Sequence, residues 1–108
     1  MSNFVLLGYG RMGKRIQEIA ESRGHRIVLA TSHTPPFIPE SADAVINFST
    51  PDSAFELVRL SLESGTPVVS GTTGWDNQIA EAESLAKKQQ SAFIYSSNFS
   101  LGVNLLFA

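Results

Sequence analysis

The chain has 108 residues, 43% of them hydrophobic, and a mean hydropathy near zero, which leaves room for one compact core and not for two. A formal net charge of −2 and a pI near 5.6 argue against a nucleic-acid surface, which needs a clustered basic excess. The absence of cysteine excludes disulfides, Cys-based metal sites and thiol nucleophiles, and no metal site is expected.

Met1-Ser2-Asn3 runs straight into Phe4-Val5-Leu6-Leu7, with neither the basic region nor the apolar length of a signal or membrane-spanning segment. A soluble, cytoplasmic protein that meets neither nucleic acid nor membrane is expected. Phe4 to Leu7, stopped by glycine, has the pattern of a strand buried on both faces of a parallel sheet. From Arg11 the period changes: Met12, Ile16, Ile19 and Ala20 share one helical face, and Gly24 stands where a C-terminal glycine cap would, which predicts a helix over roughly 11–23.

Arg26 to Ala30 is a second apolar run, followed by a loop holding Pro35, Pro36 and Pro39 that no helix interior tolerates. Ala44 to Phe48 reads as a third strand. Thr50-Pro51 then offers an N-cap and a proline at the first helical position, opening a helix over roughly 51–64 that buries Phe55, Val58 and Leu62. Gly65-Thr66-Pro67 breaks that helix, and Pro67 to Ser70 makes a fourth strand. Asp76 is placed as the cap of a third helix carrying Ile79, Ala82, Leu85 and Ala86, and Ala92 to Tyr95 completes a fifth strand.

Strands alternating with helices at this spacing imply a doubly wound, Rossmann-like α/β domain over 1–108. Only about a dozen residues separate strands two and three, too few for a helix plus a strand, so the expected sheet has five parallel strands in the order 2-1-3-4-5. Its switch point lies between strands one and three.

Gly8-Tyr9-Gly10-Arg11-Met12-Gly13 matches G-x-G-x-x-G and stands between an expected strand and an expected helix, the context in which this spacing binds the diphosphate of a dinucleotide. Gly8 permits the tight turn, Gly10 lets the diphosphate approach the backbone, and Gly13 lets the helix pack against strand one; a turn used only for packing is the plain alternative. Arg11, Lys14 and Arg15 crowd the first turns of that helix, where cations oppose the helix dipole and a bound polyanion would offset the cost. The plain alternative for them is a solvated basic face.

An acid that accepts the adenosine ribose hydroxyls is usual about 20 residues further on, at the end of strand two. Here that region reads Thr31-Ser32-His33, with no carboxylate before Glu40. Nothing there repels a 2′-phosphate, and Ser32, His33 or Arg11 can contact one, so NADP is allowed and slightly favoured over NAD. His25 is expected to be structural. The remaining polar clusters follow strands three, four and five: Asn47-Phe48-Ser49-Thr50, Gly71-Thr72-Thr73-Gly74-Trp75 and Ser96-Ser97-Asn98-Phe99-Ser100. In a parallel sheet these ends share one edge and are expected to line a single crevice with the glycine loop.

Gly10-Arg11-Met12-Gly13, Ala44 to Pro51, Pro67-Val68-Val69-Ser70-Gly71-Thr72-Thr73-Gly74 and Ser97-Asn98-Phe99-Ser100-Leu101-Gly102-Val103-Asn104 together resemble the dihydrodipicolinate reductase family, in the family's order and over nearly the whole chain. The resemblance implies the cofactor-binding domain of an NAD(P)H-dependent oxidoreductase of lysine and diaminopimelate synthesis, which passes hydride to a small cyclic dicarboxylate. It implies that Gly8, Tyr9, Gly10, Arg11, Met12 and Gly13 hold the diphosphate and that Phe48, Ser49 and Thr50 border the cofactor. Gly71, Thr72 and Thr73, with Ser96, Ser97, Asn98 and Phe99, would place the nicotinamide end.

The chain departs from the family pattern at Asn47, where an acid is commoner, in a glycine loop one residue shorter than in many members, and at Thr31-Ser32-His33, where an acidic-basic pair can occur. The last leaves the choice between NADP and NAD open. The family's substrate-contacting histidine and lysine are not matched, since His25 and His33 stand at the wrong places in the order. No catalytic residue is therefore assigned within the chain. The apolar end Leu105-Leu106-Phe107-Ala108 reads as a cut in a longer protein, with the substrate domain and its homotetramer contacts expected after Ala108. Two other readings keep the same fold: a non-catalytic NAD(P)-sensing module, and the cofactor domain of another amino-acid-pathway dehydrogenase.

Overall fold

The computed structural model describes residues 2–8 and 10–96. These residues form five strands and three α-helices in the order β1 (Asn3–Leu7), α1 (Arg11–Ser22), β2 (Arg26–Thr31), β3 (Ala44–Asn47), α2 (Pro51–Glu63), β4 (Val68–Ser70), α3 (Ile79–Lys88) and β5 (Phe93–Tyr95). All pairings are parallel and the order is β2-β1-β3-β4-β5, as the short β2–β3 connection requires.

The two faces of the sheet have separate cores, set by strict alternation along the strands. Phe4 and Leu6 of β1, with Ala44 and Ile46 of β3, pack on Ile16 and Ala20 of α1. Val5, Leu7, Val45 and Val68 face the other way, onto Leu57, Val58 and Leu62 of α2 and Ala82 and Ala86 of α3. In the β1–β2 ladder Phe4 pairs with Ile27 and Val5 with Leu29, so Val28 is bulged out of the register. Both Val28 and Leu29 consequently lie against the α2-side core, where the proline-rich loop sends down Ile38, 5% exposed. One anchored isoleucine covers the sheet where a fuller Rossmann domain would spend a helix.

Several local expectations need correction. Met12 is 42% exposed, because Gly13, one position on, is the residue that turns into the sheet. Phe55 is only partly buried, since the stripe facing the core runs Ala54, Leu57, Val58, Ser61 and Leu62. Thr50 holds the N-cap position of α2 with Pro51 at the start, but its side chain makes no capping bond; its hydroxyl pairs with that of Ser53 at 3.3 Å. Asp76 caps nothing: it lies inside a single 3₁₀ turn, Asp76–Gln78, that leads into α3. Helix α1 does end as expected, with Gly24 at φ +83°, its N–H donating to the Glu21 carbonyl at 3.1 Å and the His25 N–H to the Ala20 carbonyl at 2.9 Å. His25 is structural: its Nδ1 accepts the Ser2 N–H at 3.2 Å and its ring lies 5.1 Å from that of Phe4.

Among the described residues no helix is long and apolar enough to cross a membrane, and no cluster of His, Asp and Glu is arranged to hold a metal.

Candidate functional site

The carboxyl ends of β1, β2 and β3 converge on a cavity of about 260 Å³. Gly8 and Gly10 form one wall, Ser32 and Thr34 from the end of β2 a second, and Phe48, Ser49 and Thr50 a third; Ser53 and Leu57 of α2 close it. That cavity sits at the switch point of the sheet, where open α/β folds bind ligands.

The β1–α1 and β3–α2 turns touch at Gly8. Its φ is +94°, a conformation that favours glycine, and a Cβ there would run into the Phe48 carbonyl and lie 2.8 Å from the Ser49 nitrogen. The Phe48 N–H continues the ladder, donating to the Leu7 carbonyl at 2.8 Å, and the Gly8 N–H donates to the Thr31 carbonyl at 2.8 Å. Gly10 is different: among the described residues nothing lies within 4 Å of the position its Cβ would occupy, so none of them requires a glycine there. Open space over Gly10, at the start of a helix, is what a close-approaching diphosphate needs.

The start of α1 is prepared for an anion. No side chain caps it and its first turn holds no acid, whereas α2 has Asp52 and α3 has Glu81 in theirs. Arg11, Lys14 and Arg15 are exposed there. Among the described residues the ion pairs are those of Arg59 on α2, with Glu56 at 2.7 Å and Glu63 at 2.9 Å. The Arg59 hydrogen bond holds the Glu56 carboxyl below its ordinary range. Among the described residues the three cations at α1 form no ion pair, and the side chains that line the cavity are neutral.

Among the described residues, neither the turn after β4 nor Ser96 after β5 lines the cavity. Gly71 is tied to β3 by its N–H to the Asn47 carbonyl at 2.9 Å, and it lies under the Phe48 ring, where a Cβ would clash with the ring carbons. Thr72 is buried, its hydroxyl without a hydrogen-bond partner among the described residues and its carbonyl accepting Trp75 Nε1–H at 2.6 Å; Thr73 is exposed. The Ser96 N–H donates to the Ser70 carbonyl at 3.0 Å. Phe48 thus borders both the cavity at β1–β3 and Gly71 at the end of β4. Ser32 lines the cavity and His33, exposed, does not; the His33 N–H donates to Thr31 Oγ1 at 3.0 Å in a tight turn. Arg11, Met12 and Gly13 start α1 beside the cavity without lining it. Tyr9, Ser97, Asn98 and Phe99 lie outside the described residues.

Sequence reasoning missed Thr34, Ser53 and Leu57. The helical spacing of positions 50, 53 and 57 was the available signal for the last two. Thr34 carried none, because only the fold of the proline-rich loop brings it back to the glycine turn.

Gly71→Ala is expected to lower stability by about 1–3 kcal/mol in urea unfolding, because the new methyl must displace the Phe48 ring. Combined with Phe48→Ala the cost should largely vanish. Additive costs in that double-mutant cycle would show that the ring is not the obstacle.

Residues 31–99 match the family described as "Dihydrodipicolinate reductase, N-terminus". A 4-hydroxy-tetrahydrodipicolinate reductase of Christiangramia forsetii is 46% identical over 108 residues, covering 97% of this chain and 45% of that relative. The chain thus spans about half the length of the curated relatives it matches. The solved structure of a dipicolinate-bound dihydrodipicolinate reductase from Paenisporosarcina sp. TG-14 superimposes with a TM-score of 0.77 at 23% identity, over 98% of this chain and 51% of the other. A hyperthermophilic archaeal homoserine dehydrogenase in complex with NADPH gives 0.70 at 18% identity, over 89% and 44%. Both structures share the fold.

Proposed function

The chain belongs to the dihydrodipicolinate reductase family, as its N-terminal region, and from that premise we propose that it binds NADPH or NADH for a 4-hydroxy-tetrahydrodipicolinate reductase. The observation that carries the proposal is the pairing of Gly8 and Gly10. One is filled by the protein's own backbone, and the other is open toward an uncapped helix start that holds three cations.

The residues present fit a nicotinamide dinucleotide. Gly10 and the first amides of α1 would hold the diphosphate, with Arg11 and Lys14 adding charge. A cavity of about 260 Å³ is smaller than the roughly 300–1,000 Å³ of whole-ligand pockets. It suits one half of the cofactor, and the adenosine half is assigned to it, with Ser32 and Thr34 at the ribose. The Gly71-Thr72-Thr73 turn and Ser96 to Phe99 are assigned to the nicotinamide half, across the Phe48 ring. Bound there, the nicotinamide supplies hydride for reduction of a cyclic dicarboxylate in lysine and diaminopimelate synthesis. The histidine and lysine that assist at the substrate, and the surfaces of a homotetramer, are assigned to the part of the relatives' length that this chain does not span. Homoserine dehydrogenase is a likeness of fold alone, and no feature of the cavity favours it.

With no carboxylate at the end of β2, NADPH is expected to bind more tightly than NADH. Calorimetric titration of both, with Tm as a second readout, tests the proposal: at 100 times Kd the bound cofactor should add about 2.7 kcal/mol to stability. Failure of both cofactors to bind at millimolar concentration sinks it, while tighter binding of NADH overturns only the preference.

A further inference from the structure

Asn47, the last residue of β3, is fully buried, and its amide serves two bonds. Oδ1 accepts the Ser49 N–H at 3.2 Å, closing the turn; Nδ2 donates to the Ala54 carbonyl in the first turn of α2 at 3.4 Å, tying that turn to the helix. Between Asn47 and Ser49, inside the turn that the first bond closes, lies Phe48, whose carbonyl abuts Gly8 and whose ring covers Gly71. A single buried side chain thus holds the strip of backbone against which both neighbouring turns pack. Asn47 does not spend its amide across the sheet, although its register partner Ser70 carries a buried hydroxyl with no partner among the described residues.

We infer that Asn47 is the positioning residue of the dinucleotide cavity: through Ser49 and Ala54 its side chain sets where the Phe48-Ser49-Thr50 wall stands. The inference rests on the cofactor reading above. Asn47 does not line the cavity and acts only through the groups it holds. Around metal sites, groups one bond removed from the ligand change affinity by about 10–100-fold when lost, and an effect of the same order is expected at this cavity.

The test titrates NADPH into the purified protein and its Asn47→Ala, Asn47→Asp and Ser70→Ala variants, each at a temperature where circular dichroism shows it folded. Asn47→Ala is expected to raise Kd about tenfold or more. Asn47→Asp keeps an oxygen for the Ser49 N–H but loses the donor to the Ala54 carbonyl and should recover only part of that loss, while Ser70→Ala stays within about twofold of the parent, its hydroxyl having no bond to lose among the described residues. Parent-like binding by folded Asn47→Ala overturns the inference, and so does a Ser70→Ala loss as large as that of Asn47→Ala. If Asn47→Ala does not fold, Asn47→Asp is read together with hydrogen exchange of the Ser49 amide. Affinity and amide protection kept or lost together support the inference, and their parting overturns it. Absence of binding by the parent removes the cofactor reading and this inference with it, whereas a binding parent with an unchanged Asn47→Ala removes the inference alone.

Discussion

Gly8→Ala is expected to destabilise the protein by about 3–5 kcal/mol, adding the cost of a non-glycine residue at positive φ to that of overpacking against backbone. The obstacle is the Phe48 carbonyl, with the Ser49 nitrogen 2.8 Å from the new methyl, and neither is the end of a side chain that can swing away. Relief requires the β1–α1 and β3–α2 turns to separate, which opens the cavity, so cofactor affinity falls with stability. Gly10→Ala is the matched control. Its methyl enters open space at φ −119°, so the ligand-free protein should lose no more than about 1 kcal/mol, within the range of ordinary exposed substitutions. NADPH binding should nevertheless weaken by an order of magnitude or more, since that space is where the diphosphate approaches. Urea unfolding and calorimetry on the two variants separate the effects. Equal stability losses at Gly8 and Gly10, or unimpaired binding by Gly10→Ala, would contradict the division of labour.

Trp75→Ala should be nearly as damaging. The indole is 1% exposed, meets the rings of Phe93 and Tyr95 edge-on at 5.9 and 6.2 Å, and donates from Nε1 to the Thr72 carbonyl at 2.6 Å. Truncating a buried tryptophan costs about 3–5 kcal/mol through the cavity it leaves. At roughly 4–8 °C per kcal/mol for a domain near this size, Tm should fall by about 12 °C or more. Trp75→Phe retains much of the volume but strands the Thr72 carbonyl, and about 1–3 kcal/mol is expected. Because Trp75 is the single tryptophan, unfolding of these variants is followed by circular dichroism. A loss below about 1 kcal/mol for Trp75→Ala would mean that the indole does not brace the Gly71–Trp75 turn against β5 as its ring contacts indicate.

The elements and their order were legible because they follow from local periodicity. Phe4 to Leu7 reads as a buried strand from four consecutive apolar residues, Gly24 as a helix end from its place after Ile19 and Ala20, and a strand–helix–strand alternation with a short second connection admits few sheet orders. Errors came where two local signals competed. Met12 and Gly13 both fit the inner face of α1, and closeness of the helix to the sheet selected the residue without a side chain.

By itself, then, the sequence determined the fold class, the strand order, the family and the glycine loop, since each depends on residue types at fixed short spacings. The tertiary structure alone decided that Phe48 borders both the cavity and Gly71, that Thr34, Ser53 and Leu57 join the cavity, and that Asn47 bonds Ser49 and Ala54. Those facts depend on how closely turns from different strands approach. That approach is set by sheet register and by side-chain volume between segments far apart in the chain, and no short-range pattern encodes it.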